Sequence, residues 1–178
     1  RGGPQYFKEQ HLLRLPGSVS ANMGFGTAMH NTLEFAQILV NKDAFDIQKI
    51  LDYYQKNIQD QNLLSSEYNR YLVHGQDLLL KLLKSDTFWL PKGALPEQSI
   101  SDVYIGDVKL YGKLDNINNS KGTIVITDYK TGQPLPSLFT KNQTLAPKAW
   151  RQRTQLIFYT LLVKLSSRYK DAEGIKSQ

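Results

Sequence analysis

Gly122-Thr123-Ile124-Val125-Ile126-Thr127-Asp128-Tyr129-Lys130-Thr131-Gly132-Gln133 is the stretch from which the architecture can be assigned. Its first half is rich in β-branched residues and fits a pleated, half-buried strand. An acid and a lysine then stand two apart around a tyrosine, where the backbone is about to leave the sheet. Side chains two apart on a strand share a face, so Asp128 and Lys130 project together and Tyr129 turns into the opposite layer. The pattern predicts a strand over 123–129 that carries charge at its end.

Upstream, alternation with a period of two begins at Ser99 with Ile100, Val103 and Ile105. It passes the tight-turn pair Gly106-Asp107 and resumes in Val108, Leu110, Gly112 and Leu114. A second turn is expected over Asn116–Gly122, so the three strands form an antiparallel meander. That pairing brings Asp115 to the same sheet end as Asp128. Residues 20–90 have helical spacing instead, in Met29, Leu33, Ala36 and Val40 and again in Tyr68, Tyr71, Leu72, Leu78, Leu79, Leu82 and Leu83. Met23, Phe25, Tyr53 and Tyr54 are read as core. After the sheet, residues 133–148 hold three prolines without a clear period and are expected to form a long loop. A helix is expected over Ala149–Tyr169. No internal repeat or linker divides the chain. The expectation is one α/β domain over 1–178, with a helical part at about 20–90 and a sheet and active-site part at about 97–170.

The chain of 178 residues is 40% hydrophobic and 21% charged, the balance of a globular domain that can bury a core. No apolar run approaches the ~20 residues needed to span a bilayer. The absence of cysteine excludes disulfides, thiolate zinc sites, iron–sulfur clusters and cysteine nucleophiles. With no signal-peptide pattern, a cytoplasmic protein is expected. The chain opens on Arg1-Gly2-Gly3-Pro4 with no methionine, as expected for a piece of a longer polypeptide. A formal charge of +6 favours polyanionic partners. No G-x-S-x-G elbow, P-loop or H-E-x-x-H motif is present to support a small-molecule hydrolase.

Two carboxylates at hydrogen-bonding range repel unless they are protonated or share a cation. A divalent ion answers this for Asp115 and Asp128, since Mg²⁺ takes carboxylate oxygens and keeps waters for a substrate phosphate. A neighbouring lysine can stabilise charge developing on a phosphate. The simpler alternative is an ordinary surface salt bridge, Asp128 with Lys130 or Asp115 with Lys113. His30 lies on the first helix, one residue off its apolar stripe. On the last helix, Gln155 and Tyr159 share a face and Arg151 extends it one turn earlier, a polar stripe suited to a backbone phosphate. Phe139 and Trp150 are interleaved with Lys141, Lys148, Arg151 and Arg153, a pattern suited to single-stranded nucleic acid. The competing reading packs Trp150 on the core. His11 and His74 have no acidic company in sequence and are read as structural.

The ordered motifs Gly26-Thr27-Ala28-Met29-His30, Gly112-Lys113-Leu114-Asp115, Asp128-Tyr129-Lys130 and Gln155-Leu156-Ile157-Phe158-Tyr159 resemble the RecB-type branch of the PD-(D/E)XK nuclease superfamily. The opening YFKEQHLLRLPG (residues 6–17) further resembles the segment before this module at the C-terminus of UvrD/PcrA-like bacterial superfamily 1 helicases. The resemblance implies a restriction-endonuclease-like core, a mixed or antiparallel sheet with a possible truncated return strand, flanked by helices. It implies a Mg²⁺- or Mn²⁺-dependent deoxyribonuclease acting on DNA, either a single strand or an end, in repair or recombination beside helicase domains. Its metal would be held by His30, Asp115, Asp128 and the Tyr129 backbone carbonyl, with Lys130, Asp128 and Asp115 as the catalytic set. Gln155, Tyr159 and Arg151 would contact DNA or brace the site, and Glu34 could accept the free ring proton of His30. The alternative within the same fold is a catalytically inactive DNA-binding module. Where many relatives carry arginine after the G-x-x-D aspartate, this chain has Asn116, which would remove a phosphate contact or a salt bridge. Glu97 is read as structural.

Overall fold

The computed structural model describes residues 20–85 and 90–178. His11 and the segment 6–17 lie outside the described residues. Three helices come first: α1 (Ala21–Asn41), α2 (Ile47–Gln59) and α3 (Ser65–Leu83). Ser20 caps α1 by accepting from the Met23 amide, and Asp46 caps α2 by accepting from the Gln48 and Lys49 amides. Phe25, Ala28, Met29 and Leu33 of α1 are buried with Tyr54 and Ile58 of α2 and Tyr71 and Leu79 of α3. This is the core expected from the helical spacing. Met23 departs from that expectation, because at 65% exposure it stands outside the core.

Strands β1 (Leu95–Ile105), β2 (Val108–Ser120), β3 (Thr123–Thr127) and β4 (Gly174–Ser177) form one sheet in that order. The first three make the expected antiparallel meander, and β4 adds in parallel beside β3. The return strand is therefore present, and it extends the pairing to Asp128, whose amide donates to the Gln178 carbonyl. Helix α4 (Ala146–Leu165) makes the crossover between β3 and β4.

β1 begins at Leu95 rather than Ser99 and β3 ends at Thr127 rather than Tyr129, and β2 and α4 also depart from the sequence reading. β2 continues through the Asn-rich residues to Ser120, and the turn shrinks to Lys121-Gly122, both at positive φ. That pair matches the type I′ hairpin, whose twist suits the flanking strands. α4 starts three residues early, because Pro147 sits in its first turn, where a missing N–H costs nothing. It ends at Leu165 rather than Tyr169, because the Asp102 carboxylate accepts from the Ser166 hydroxyl and from the Ser167 amide and hydroxyl. These bonds hold Ser166 extended and lead the chain through a 3₁₀ turn, Ser167–Tyr169.

Tyr159, Leu162 and Val163 of α4 bury Ile100, Val103, Leu114, Ile117, Ile124 and Ile126 of the sheet. Gly112 permits this approach, since a β-carbon there would lie 2.5 Å from Leu162 Cδ1. Leu114 and Ile117 share this core although residues three apart on a regular strand face opposite ways. The alternation breaks at Asp115 and Asn116. Asn116 is buried and its amide nitrogen donates to Gln37 Oε1 of α1 at 3.1 Å. This polar contact ties the helical part to the sheet beside Asp115. Gln37 in turn donates to the Pro91 carbonyl, so the buried amide is satisfied at both ends.

Candidate active site

The site lies where α1 packs against β1 and β2 and the chain leaves β3. One register detail shapes it. A bulge between Ile100 and Val103 shifts the β1–β2 pairing, so that Pro96 pairs with Asn116 and Gln98 with Leu114. Glu97 is thereby bracketed against Asp115. Without that shift, Gln98 would stand opposite Asp115 and no second carboxylate would face it. Glu97 has φ of +53°, a left-handed conformation that costs a non-glycine residue about 1–2 kcal/mol. Such strain is held only where the surroundings impose it. Its carboxylate makes an ion pair with Lys113 Nζ.

His30 projects from α1 toward the same place. Its Nδ1 lies 3.4 Å from Asp115 Oδ2. The same oxygen accepts the Tyr129 backbone amide at 2.7 Å. Asp115 thus joins the helix to the D-Y-K segment. Single ligand atoms of His30, Glu97 and Asp115 all lie within 4.8 Å of one another. The hydrogen bond with Asp115 raises the His30 pKa above its ordinary value, against the opposing effect of burial. A groove of about 440 Å³ lined by Met23, Gly26, Thr27, His30, Asn31, Glu97 and Asp115 opens over the three groups.

Asp128 and Lys130 follow β3 as a second, adjoining unit. Asp128 Oδ2 is 2.5 Å from Lys130 Nζ, and the aspartate side chain is only 5% exposed. This is not a solvated surface pair. Burial pushes the Asp128 carboxyl up, Lys130 pulls it down, and the charge on Asp115 adds to the rise. Lys130 also donates to Gln155 Oε1 at 3.0 Å, and Gln155 donates to the Tyr159 hydroxyl at 2.8 Å. The two α4 residues therefore hold the lysine by a relay. Tyr129 turns the other way, into the helical core, where burial pushes its phenol up to about 12.

Of the residues singled out in sequence, His30, Asp115, Asp128, Tyr129, Lys130, Gln155 and Tyr159 are connected by these contacts. Arg151 is not among them; it is exposed and makes no ion pair with any described residue. Glu34 makes no hydrogen bond to His30 and acts instead through its charge on Lys113. Asp128 stands beside the three-residue group rather than inside it. Glu97, read from sequence as structural, belongs to that group. The sequence carried no clear signal for it, since β1 begins at Leu95, four residues before the alternation becomes clear.

Two carboxylates and an imidazole that face one another across a few ångströms, at the floor of an open groove, suit a hard divalent ion such as Mg²⁺ or Mn²⁺. The charge of such an ion offsets the repulsion between Glu97 and Asp115. The donor set therefore fits the metal that the sequence motifs imply. Asn116, with its amide committed to Gln37, does not reach this groove and works as a structural link.

No curated protein and no solved structure matches the chain. The model of the PD-(D/E)XK nuclease superfamily matches residues 4–177, nearly the whole sequence. The mixed sheet with helices packed against it agrees with the restriction-endonuclease-like core of that group. The chain belongs to the PD-(D/E)XK nuclease superfamily.

Proposed function

We propose that this domain is a Mg²⁺- or Mn²⁺-dependent deoxyribonuclease that hydrolyses phosphodiester bonds. The observation that carries the reading is the adjacency of the His30, Glu97 and Asp115 group to an ammonium fixed between Asp128 and Gln155. In this reading His30, Glu97 and Asp115 hold the ion, with Asp128 and the Tyr129 carbonyl completing its surroundings. A bound divalent ion supplies Lewis-acid polarisation of the phosphoryl oxygen and lowers the pKa of water.

The chain's own groups do the positioning. The Tyr129 amide fixes one oxygen of Asp115, which leaves the other oriented by the same contact. Lys130 presents a positive charge where negative charge develops on the phosphoryl oxygens, and its two partners remove the freedom that would otherwise have to be lost during reaction. Asp128 holds that lysine in an ion pair and, being buried, does so with little screening by solvent. Gln155 and Tyr159 brace the lysine from α4. Arg151, free on the same helix one turn earlier, is placed to meet a backbone phosphate.

The motif series supports a RecB-type module, and the opening segment supports attachment to superfamily 1 helicase domains that process DNA ends in repair or recombination. Such a role would place the protein with the bacterial nucleoid in the cytoplasm. No described helix is long and apolar enough to cross a membrane. The test is cleavage of labelled single-stranded and duplex DNA with Mn²⁺. Asp128→Ala and Lys130→Ala should each lose cleavage while keeping the wild-type circular dichroism spectrum. Cleavage at the wild-type rate by both variants refutes the assignment.

A further inference from the structure

A second feature stands apart from the metal-side groups. Phe139 is 74% exposed and Trp150 is 58% exposed, and both line one surface pocket with Leu138, Ala149 and Arg153. The Arg153 guanidinium lies 5.0 Å from the Phe139 ring centroid. Trp150 does not pack on the core, contrary to the simpler sequence reading. Lys141 and Arg151, both exposed, stand close to these residues in sequence, on the loop and on α4.

An exposed phenyl and an exposed indole around one pocket are poorly suited to water, and cations beside them are poorly suited to an apolar protein partner. Together they suit a ligand with flat apolar faces joined by phosphates. The Arg153 guanidinium can remain stacked on Phe139 while its outer N–H groups meet a phosphate. Trp150 and Arg153 stand on α4, the helix that also carries Gln155 and Tyr159. The loop that carries Phe139 is tied to α4 by Lys148, whose Nζ donates to the Gln133 carbonyl at 2.6 Å.

We propose that Phe139, Trp150 and Arg153 form a stacking platform for an unpaired base of single-stranded DNA, on the helix that also braces Lys130. This deepens the nuclease reading, on which it rests for the identity of the strand. A base in a duplex keeps its faces covered by its neighbours, so the platform selects strands that are already open.

The test is binding, measured in EDTA so that no cleavage occurs, by anisotropy of a labelled oligothymidylate. An abasic strand of the same length, with the same phosphates, serves as comparison. Phe139→Ala and Trp150→Ala should each weaken oligothymidylate binding by about 5- to 150-fold, the range seen when an aromatic that stacks on a base is removed. Neither should change abasic binding beyond about 2-fold, and Phe139→Tyr and Trp150→Phe should bind as wild type. Equal losses for both strands would overturn the platform and leave a phosphate-binding patch. Unchanged affinity in both alanine variants, or a wild type that prefers the abasic strand, would overturn it too. Mn²⁺-dependent cleavage, assayed in parallel, separates the two claims. A wild type that binds through the platform but never cleaves sinks the nuclease reading alone, and active protein with indifferent variants sinks the platform alone.

Discussion

Lys130 illustrates how much of this site depends on second contacts. Its ammonium has an acid on one side and the Gln155 carbonyl oxygen on the other, and Gln155 is itself held by Tyr159. Gln155→Leu keeps the volume but removes the brace. The lysine should then wander, and a displacement of about 1 Å at a reacting group can cost 100-fold in rate. The expected outcome is a kcat lowered by about 10-fold or more with KM nearly unchanged, checked by steady-state cleavage under Mn²⁺. A variant that instead raises KM alone would assign Gln155 to strand binding. Asp128 and Lys130 were legible in the sequence as a pair two apart, and although β3 ends at Thr127 the chain beyond it still brings them into an ion pair. Glu97 was not, since its place opposite Asp115 depends on a one-residue bulge that no composition signal announces.

The helices and strands explain which other features could be read in advance. Apolar spacing in α1 and α3 marks their buried stripes directly, because burial of those stripes is what holds the helices in place. Their depth of packing is less visible. In α3, Gly75 lies against the Tyr54 ring so closely that a β-carbon would come within 2.1 Å of the phenol oxygen. Tyr54 is fully buried and donates to the Tyr71 carbonyl at 2.7 Å, so it has nowhere to go. Gly75→Ala should destabilise the fold by about 1–3 kcal/mol despite the better helix propensity of alanine, as read from urea denaturation.

The end of α4 escapes local sequence signals for a related reason, since the contacts that stop it come from Asp102, a residue distant in sequence. Its hydrogen bonds from Ser167 and Ser166 lower the Asp102 pKa below the ordinary carboxylate value. A depressed folded-state pKa contributes stability above the unfolded value of about 3.9 and loses it as pH falls through the folded one. The stability gap between wild type and Asp102→Ala should therefore be constant from neutral pH down to about pH 5 and narrow below about pH 4. Denaturation midpoints at stepped pH measure it. A gap that stays flat into strong acid would show that the cap does not titrate.

Over the whole molecule, the proposed ion sits at the seam between the helical part and the sheet. His30 comes from the helical part, Glu97 and Asp115 from the sheet, and the buried Asn116–Gln37 hydrogen bond lies beside them. The linear order of motifs conveyed the family, but their convergence depends on how α1 docks on β1 and β2, which no local pattern specifies. An ion bound to this seam stabilises the folded chain by mass action, about 2.7 kcal/mol at one hundred times its dissociation constant. The direct measurement is calorimetric titration of the wild-type chain with Mn²⁺, repeated with Asp115→Asn and Glu97→Gln. The account predicts a saturable heat in the wild type, its loss in Asp115→Asn, and an affinity at least about 10-fold weaker in Glu97→Gln, no less than removal of an outer-shell partner costs. No saturable heat in the wild type, or the same isotherm in all three proteins, would contradict it.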